Sequence, residues 1–144
     1  MTGLARKTPW HLWVVGVVSL LWNLGGVVDY TMTQLRNEGY LSQFTPEQLD
    51  YFTSFPTWFE AFWALGVWGA ILGSVLLLLR SRFALHSFVI SLVGIAGTTF
   101  WTVTNPMPES LNSPGVWLFT GAIIISVILL IWYARRQTAT GVLR

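Results

Sequence analysis

Two carboxylates are the strongest candidates for chemistry in this sequence. Asp29 ends the first long apolar segment and Glu60 lies near the start of the second, so both belong to the same end of a helical pair. Carboxylates that meet near a membrane surface can bind a cation, an amine or a proton. A plainer interpretation is also open, in which Glu60 stabilises the first turn of its helix and Asp29 is solvated or paired with Arg36.

An amide inside the first apolar segment is the second candidate. Asn23 lies among hydrophobic residues, and an amide in hydrocarbon requires a hydrogen-bond partner. We expect that partner on the third apolar segment, at Thr98 or Thr102, because hydroxyls bond across helices in lipid. These side chains either join two helices or line a pocket for a small solute.

Two histidines are the third candidate. His11 and His86 lie near the starts of the first and third segments, and such a pair can ligate haem. Alternatively, both are interfacial residues close to the headgroups. A bilayer core of about 30 Å separates them from the acids, which argues against a histidine–carboxylate catalytic dyad. We predict no enzymatic activity and no cofactor.

Several reactive side chains are missing. The sequence has no cysteine, which excludes disulfide exchange, thiolate nucleophiles and sulfur-ligated metals. Its single lysine is Lys7, before the first apolar segment. A Walker-type phosphate loop and a buried Schiff-base lysine are therefore both excluded.

The composition is typical of a membrane protein. Of 144 residues, 53% are hydrophobic and 10% are charged, whereas soluble domains carry about 25% charged residues. The net charge of +2 does not indicate nucleic-acid binding, because the basic residues flank apolar segments and form no patch. The expected partner is the lipid bilayer.

Four apolar segments predict an all-α membrane fold, a single domain over 1–144 built as an up-down bundle of four transmembrane helices. Each segment has about 20 residues and, at about 1.5 Å per residue, matches a bilayer core of about 30 Å. Backbone groups in hydrocarbon must be paired within the segment, so helices are expected. The predicted spans are 10–29, 57–79, 84–104 and 115–133.

The charges predict the orientation. Of the eight basic residues, Arg36 alone lies on the side where the acids lie. By the positive-inside rule, both termini of the protein are cytoplasmic. The basic residues of the predicted cytoplasmic side are Arg6, Lys7, Arg80, Arg82, Arg135, Arg136 and Arg144.

The loop between the first two spans has local order of its own. We expect the first helix to continue to Glu38 and to end at Gly39. Thr45 and Gln48 have the spacing of a capping box, which predicts a short extracytoplasmic interfacial helix over 46–54. The side chains expected to face the membrane surface are Leu49, Phe52 and Phe55.

The two halves of the sequence resemble each other. Residues 10–20 align without gaps with 85–95, and residues 69–79 align with 121–131. A duplicated helical hairpin explains both matches and makes the halves parallel repeats. Chance alignment of apolar helices is the alternative.

Small residues predict where the helices meet, because they let backbones approach in lipid. The second span carries Gly66, Gly69 and Gly73 on one face, which predicts a close helix contact within the bundle or with another protein. The fourth span is mostly Ile, Leu and Val, so it is expected to be the most lipid-exposed. Similar stripes on the first and third spans contain Gly16, Ser19, Asn23, Ser87, Ser91 and Gly94.

The motif W-N-x-x-G-x-x-D-Y, here residues 22–30, resembles a group of short bacterial four-span membrane proteins. The segments TPWHLW (8–13) and FTPEQLDYF (44–52) resemble the same group, and the likeness extends over most of the chain. It implies a bacterial inner membrane, and some members are labelled as sugar transporters.

Together these features predict a protein that binds or transports a small solute through an outward-facing polar site around Asn23, Asp29 and Glu60. We expect a homo-oligomer, since so small a protomer needs neighbours to enclose a path. The alternative is a non-catalytic accessory subunit that packs against a larger membrane complex through the glycine face of the second span.

Overall fold

The computed structural model describes residues 7–144, and every regular element in that range is a helix. Four of the helices are long and apolar enough to cross a membrane. They coincide with the four predicted spans, and the first and fourth extend beyond the predicted ends at residues 29 and 133. Arg6, one of the residues used for the orientation, lies outside the described range. The helices are α1 (Trp10–Gln34), α2 (Glu38–Leu41), α3 (Pro46–Thr53), α4 (Thr57–Leu78), α5 (Phe83–Thr104) and α6 (Pro114–Ala139).

The four long helices pack in the order α1, α4, α5, α6. The contact between α4 and α5 is the most extensive, α1 lies against α4, and α5 meets α6 over a smaller area. Side chains also join α1 to α6, where Trp22 Nε1 donates to Ser126 Oγ at 3.2 Å. In α6, 11% of the most apolar stretch is buried, against 28% in α4 and α5. The prediction that the fourth span is the most exposed is confirmed.

Glycine brings α4 and α5 into backbone contact. Ser91 Oγ donates to the Gly66 carbonyl at 2.6 Å, and Ser87 Oγ donates to the Gly69 carbonyl at 2.7 Å. A methyl group added to Gly69 would lie 3.0 Å from the Ser91 backbone nitrogen. The predicted close contact is confirmed, and its partner is α5 of the same chain. The glycine face is therefore covered, and the accessory-subunit interpretation loses the docking surface on which it relied.

The main apolar core lies at one end of the bundle, where α1 and α5 begin and α4 and α6 end. We call this end the basic end, since every described basic residue except Arg36 lies there. The opposite end, where α4 begins, is the acidic end, and all six acids of the sequence belong to it. The core at the basic end consists of Leu12, Leu77, Ala84, Phe88, Leu130, Ala134, Val142 and Leu143.

The first helix ends earlier than expected. Arg36 adopts a left-handed conformation with φ 50°. Its backbone nitrogen and that of Asn37 donate at 3.1 Å to the carbonyls of Thr33 and Met32, which is the hydrogen-bond pair of a Schellman motif. The expectation that α1 continues to Glu38 and stops at Gly39 is wrong, because this motif already satisfies the last carbonyls and Asn37 then caps α2.

The two hairpins pack differently. Ser74 is fully buried between α1 and α4, while its aligned counterpart, Ser126, is half-buried and bonds to α1 instead of α5. The hairpin duplication stays a prediction.

Candidate functional site

Asn23 joins α1 to α4. Its Nδ2 donates to the Ala70 carbonyl at 3.2 Å and to Ser74 Oγ at 3.0 Å. Ser74 Oγ in turn lies 2.9 Å from Ser19 Oγ, which completes a buried polar cluster in the middle of the bundle. The expected partners on α5 were wrong, because α4 packs against both α1 and α5 and presents the nearer acceptors to Asn23.

One atom of this cluster has hydrogen-bonding capacity to spare. The Ala70 carbonyl can only accept, so the Asn23 amino group must face α4 and its Oδ1 the other way. No hydrogen bond to Oδ1 forms within residues 7–144. In the same range, every enclosed side-chain nitrogen or oxygen has a partner, so Oδ1 retains some accessible surface. It therefore keeps an unused acceptor position.

Asp29 is held by a tyrosine that sequence reasoning missed. Tyr40 Oη donates to Asp29 Oδ1 at 2.5 Å. The Schellman turn at Arg36 reverses the chain, and the side chain of Asn37 accepts from the Tyr40 nitrogen at 2.9 Å, which fixes Tyr40 close to α1. Burial and, secondarily, the bond to Asp29 raise the pKa of the Tyr40 hydroxyl well above its ordinary value. The hydroxyl therefore keeps its proton at neutral pH and donates it to the carboxylate.

Glu60 lies in the first turn of α4 and is half-buried. An anion at this position is stabilised by the helix dipole. Because α1 packs against α4, Asp29 and Glu60 belong to neighbouring helices at the same end. The hydrogen bond that Asp29 makes is to Tyr40 and not to a residue of α4. A shared site for the two carboxylates stays a prediction.

Thr98 and Thr102 lie on α5 and bond to their own helix. Thr98 Oγ1 donates to the Ile95 carbonyl at 3.0 Å, and Thr102 Oγ1 donates to the Thr98 carbonyl at 2.9 Å. Thr102 also meets Tyr51 of α3, where burial raises the pKa of the Tyr51 hydroxyl and the bond to Thr102 partly offsets that rise. Neither threonine forms a hydrogen bond to Asn23.

An aromatic cluster covers the acidic end of α4 and α5. Phe55 stacks on Phe59 with ring centroids 4.1 Å apart, and Trp101 lies 5.0 Å from Phe59 and 5.1 Å from Phe55. The expectation that Phe55 faces the membrane surface is wrong, because the buried ring of Trp101 offers it a larger apolar contact. We call this cluster the aromatic cap; it consists of Tyr51, Phe55, Phe59, Trp63 and Trp101.

Two further contacts connect the aromatic cap and α3 to neighbouring parts of the chain. The capping box of α3 forms as predicted between Thr45 and Gln48. The side chain of Gln48 also donates to Ser110 Oγ at 3.2 Å, which joins α3 to the connection between α5 and α6. Tyr30, next to Asp29, packs its ring 5.0 Å from that of Trp63. The segment between α1 and α4 is thus a fixed cover over the acidic end.

The structure does not bring the two histidines together. His11 Nδ1 lies 2.6 Å from Tyr133 Oη, on α6. His86 is exposed, and its ring lies 5.7 Å from that of Phe83 on its own helix. Within residues 7–144 there is also no group of three or more His, Asp or Glu side chains that could hold a metal ion.

A cavity of about 420 Å³ lies between α5 and α6. Its walls are almost entirely apolar and include Ile95, Phe100 and Val103 of α5 and Ile124 of α6. None of the predicted site residues lines it. The cavity and the polar residues of the acidic end are therefore separate features.

The chain matches no family model, no curated protein and no solved structure. The resemblance of residues 22–30 to short bacterial membrane proteins stays a prediction.

Proposed function

We propose that this protein binds a small solute, either a cation or an amine, at the acidic end of a four-helix membrane bundle, and that this site serves uptake or export. The observation that carries the proposal is the carboxylate of Asp29, held by Tyr40 at the end of α1. We further propose that the bundle resides in a bacterial inner membrane with its acidic end outside, in keeping with the positive-inside rule.

Hydrogen bonding explains why Asp29 suits this role. A carboxylate fixed by one donor keeps its remaining lone pairs for a ligand. Because the raised pKa keeps the Tyr40 hydroxyl protonated, it remains a donor to the carboxylate and adds no charge of its own. Glu60 on the neighbouring helix supplies a second negative charge at the same end.

Asn23 provides a second polar position, further from the acidic end than Asp29. It lies six residues before Asp29 on α1, which corresponds to about 9 Å along the helix axis. Six residues also place the two side chains about 120° apart around α1, so the free Oδ1 of Asn23 would offer an ammonium or hydroxyl group a second polar position on another face of the helix. A solute with several donors, such as an amine, satisfies both positions in turn.

The second candidate function is an accessory subunit of a larger membrane complex. The apolar cavity between α5 and α6 and the exposed face of α6 favour it, since both could receive a helix of another protein. A homo-oligomer would use the same surfaces. A mass-resolved purification in mild detergent separates these cases, because it reports a partner, a self-assembly or a bound small molecule.

Ligand-dependent stability tests the proposed site. Alkali and alkaline-earth cations, primary amines and monosaccharides are added to the purified protein, and the Tm is measured. A ligand present at about a hundred times its Kd stabilises by about 2.7 kcal/mol. Asp29→Asn and Glu60→Gln should each remove the gain caused by a cation or amine, and their combination should add little to either, because residues of one site are not additive.

Asp50→Asn is the matched control. Asp50 is an exposed acid of α3 at the same end of the molecule, so its loss changes the charge by the same amount and should leave the gain intact. If Asp29→Asn and Glu60→Gln both keep the full ligand-dependent rise in Tm, the two carboxylates are solvated surface groups. The accessory-subunit function is then favoured.

A further inference from the structure

Three arginines at the basic end come from parts of the chain that are distant in sequence. Arg144 donates its backbone N–H to the Arg80 carbonyl at 2.9 Å, and the Arg82 backbone N–H donates to the Arg144 carbonyl at 3.0 Å. These two bonds hold the end of the chain beside the turn between α4 and α5. All three side chains are exposed and extend from adjoining backbone, and we call these three residues the arginine cluster.

The backbone that carries the cluster is fixed from both sides. Arg80 ends α4 in a left-handed conformation with φ 56°, and its guanidinium donates to Thr8 Oγ1 at 3.0 Å. On the other side, Gly141 ends α6 with φ 81°, and the next two residues, Val142 and Leu143, are buried in the apolar core. The cluster is therefore part of the folded bundle and is not a loose tail.

The cluster has no acidic side chain to neutralise it. The sequence contains six acids, and all of them belong to the acidic end. Three like charges close together repel one another unless an anion joins them. Guanidinium groups present forked donors that match the oxygens of a phosphate in geometry and charge. A phosphate group from outside the chain can therefore neutralise charge at this cluster.

The surroundings of the cluster select a lipid as the source of that phosphate. Leu79, immediately before Arg80, is 69% exposed, and Phe83, immediately after Arg82, is 55% exposed. The Arg82 guanidinium itself lies 5.4 Å from the centre of the Phe83 ring. Large apolar side chains beside exposed guanidinium groups fit a surface at which acyl chains and headgroups meet.

We propose that Arg80, Arg82 and Arg144 form a binding site for the phosphate of an anionic phospholipid. The headgroup phosphate bridges the three guanidinium groups, and the acyl chains lie against Leu79 and Phe83. Bound lipid then holds the turn between α4 and α5 to the end of the chain, so that it stabilises the bundle as well as occupying its surface.

Native mass spectrometry and thermal unfolding of the protein in detergent test this site. Phosphatidylglycerol should bind and raise the Tm, whereas phosphatidylcholine and inorganic phosphate at the same phosphate concentration should do neither. Arg144→Gln changes a fully solvated side chain, so the fold should survive and lipid affinity should fall several-fold. Arg82→Gln combined with Arg144→Gln should weaken binding about tenfold or more.

Arg135→Gln combined with Arg136→Gln is the matched control, because it removes two exposed charges from the same end but outside the cluster. It should reduce lipid affinity by clearly less than the double variant within the cluster does, because it weakens only the general attraction of the basic end for anionic lipid. Equal losses in the two double variants would show only a diffuse attraction and would overturn the proposal. An equal gain from inorganic phosphate would overturn the assignment to a lipid.

Discussion

The amide nitrogen of Asn23 lies 3.0 Å from the hydroxyl oxygen of Ser74, and this bond crosses the contact between α1 and α4. Both side chains are buried, and Ser74 also lies 2.9 Å from Ser19. The amide thus holds α1 on α4 while its Oδ1 stays available. A helix clasp and a ligand contact are compatible roles for one side chain, because they use different atoms of the amide.

A double-mutant cycle measures the coupling energy between Asn23 and Ser74. Asn23→Ala and Ser74→Ala should each lower the free energy of unfolding in detergent by about 0.5–1.5 kcal/mol, since each removes a buried hydrogen bond between α1 and α4 while the partner keeps a second one. The coupling between them should be about 0.6–1.7 kcal/mol, the range for hydrogen bonds between membrane helices. A coupling of zero would mean that the two groups do not interact in the folded protein.

The contact between α4 and α5 predicts a contrast between two glycines. A methyl group on Gly94 would collide with backbone atoms of Gly66 and Phe62, whereas one on Gly121 would meet nothing within 4 Å. Gly94→Ala should therefore cost about 1–3 kcal/mol of unfolding free energy, and Gly121→Ala should be neutral or slightly stabilising because alanine favours a helix. Unfolding in detergent reports both. Equal effects would place Gly94 outside a tight contact.

The sequence was informative where structure depends on local pattern. Segment length and hydropathy predict the four long helices, and the spacing of Gly66, Gly69 and Gly73 predicts their closest contact. The neighbour of Asn23 was not predictable, since a polar stripe on α1 suits hydroxyls on either α4 or α5. The bond between Tyr40 and Asp29 was missed for a related reason, because it depends on a chain reversal at a non-glycine residue.

That reversal supplies a stability prediction. Arg36 has φ 50°, a conformation that costs a residue with a Cβ atom about 1–2 kcal/mol. Arg36→Gly should relieve this strain and stabilise the protein by about 1 kcal/mol, whereas Arg36→Ala removes the same charge without the gain. The difference between the two variants in unfolding free energy isolates the backbone effect. If alanine stabilises as much as glycine, charge and not conformation is responsible.

The raised pKa of Tyr40 predicts a dependence on alkaline pH. A group whose pKa is higher in the folded state stabilises the fold fully below its ordinary value, 10.0 for tyrosine, and loses that contribution as the pH rises further. The wild type should therefore lose stability above pH 10 more steeply than Tyr40→Phe. The unfolding free energies of the two proteins are measured between pH 8 and pH 11. Steps of about one pH unit are small enough to detect the effect of the raised Tyr40 pKa. Parallel curves would show that Tyr40 is solvated.

The separation of charge between the two ends predicts the orientation in the membrane. Six basic residues at the described basic end and six acids at the other should keep the basic end in the cytoplasm. The absence of cysteine from the sequence permits single reporters without a background. Ser42→Cys, in the exposed segment before α3, should react with a membrane-impermeant maleimide in intact cells. Ala139→Cys, exposed at the end of α6, should react only after the membrane is opened. The opposite pattern would place Asp29 and Glu60 in the cytoplasm and would reverse the direction from which a solute reaches them.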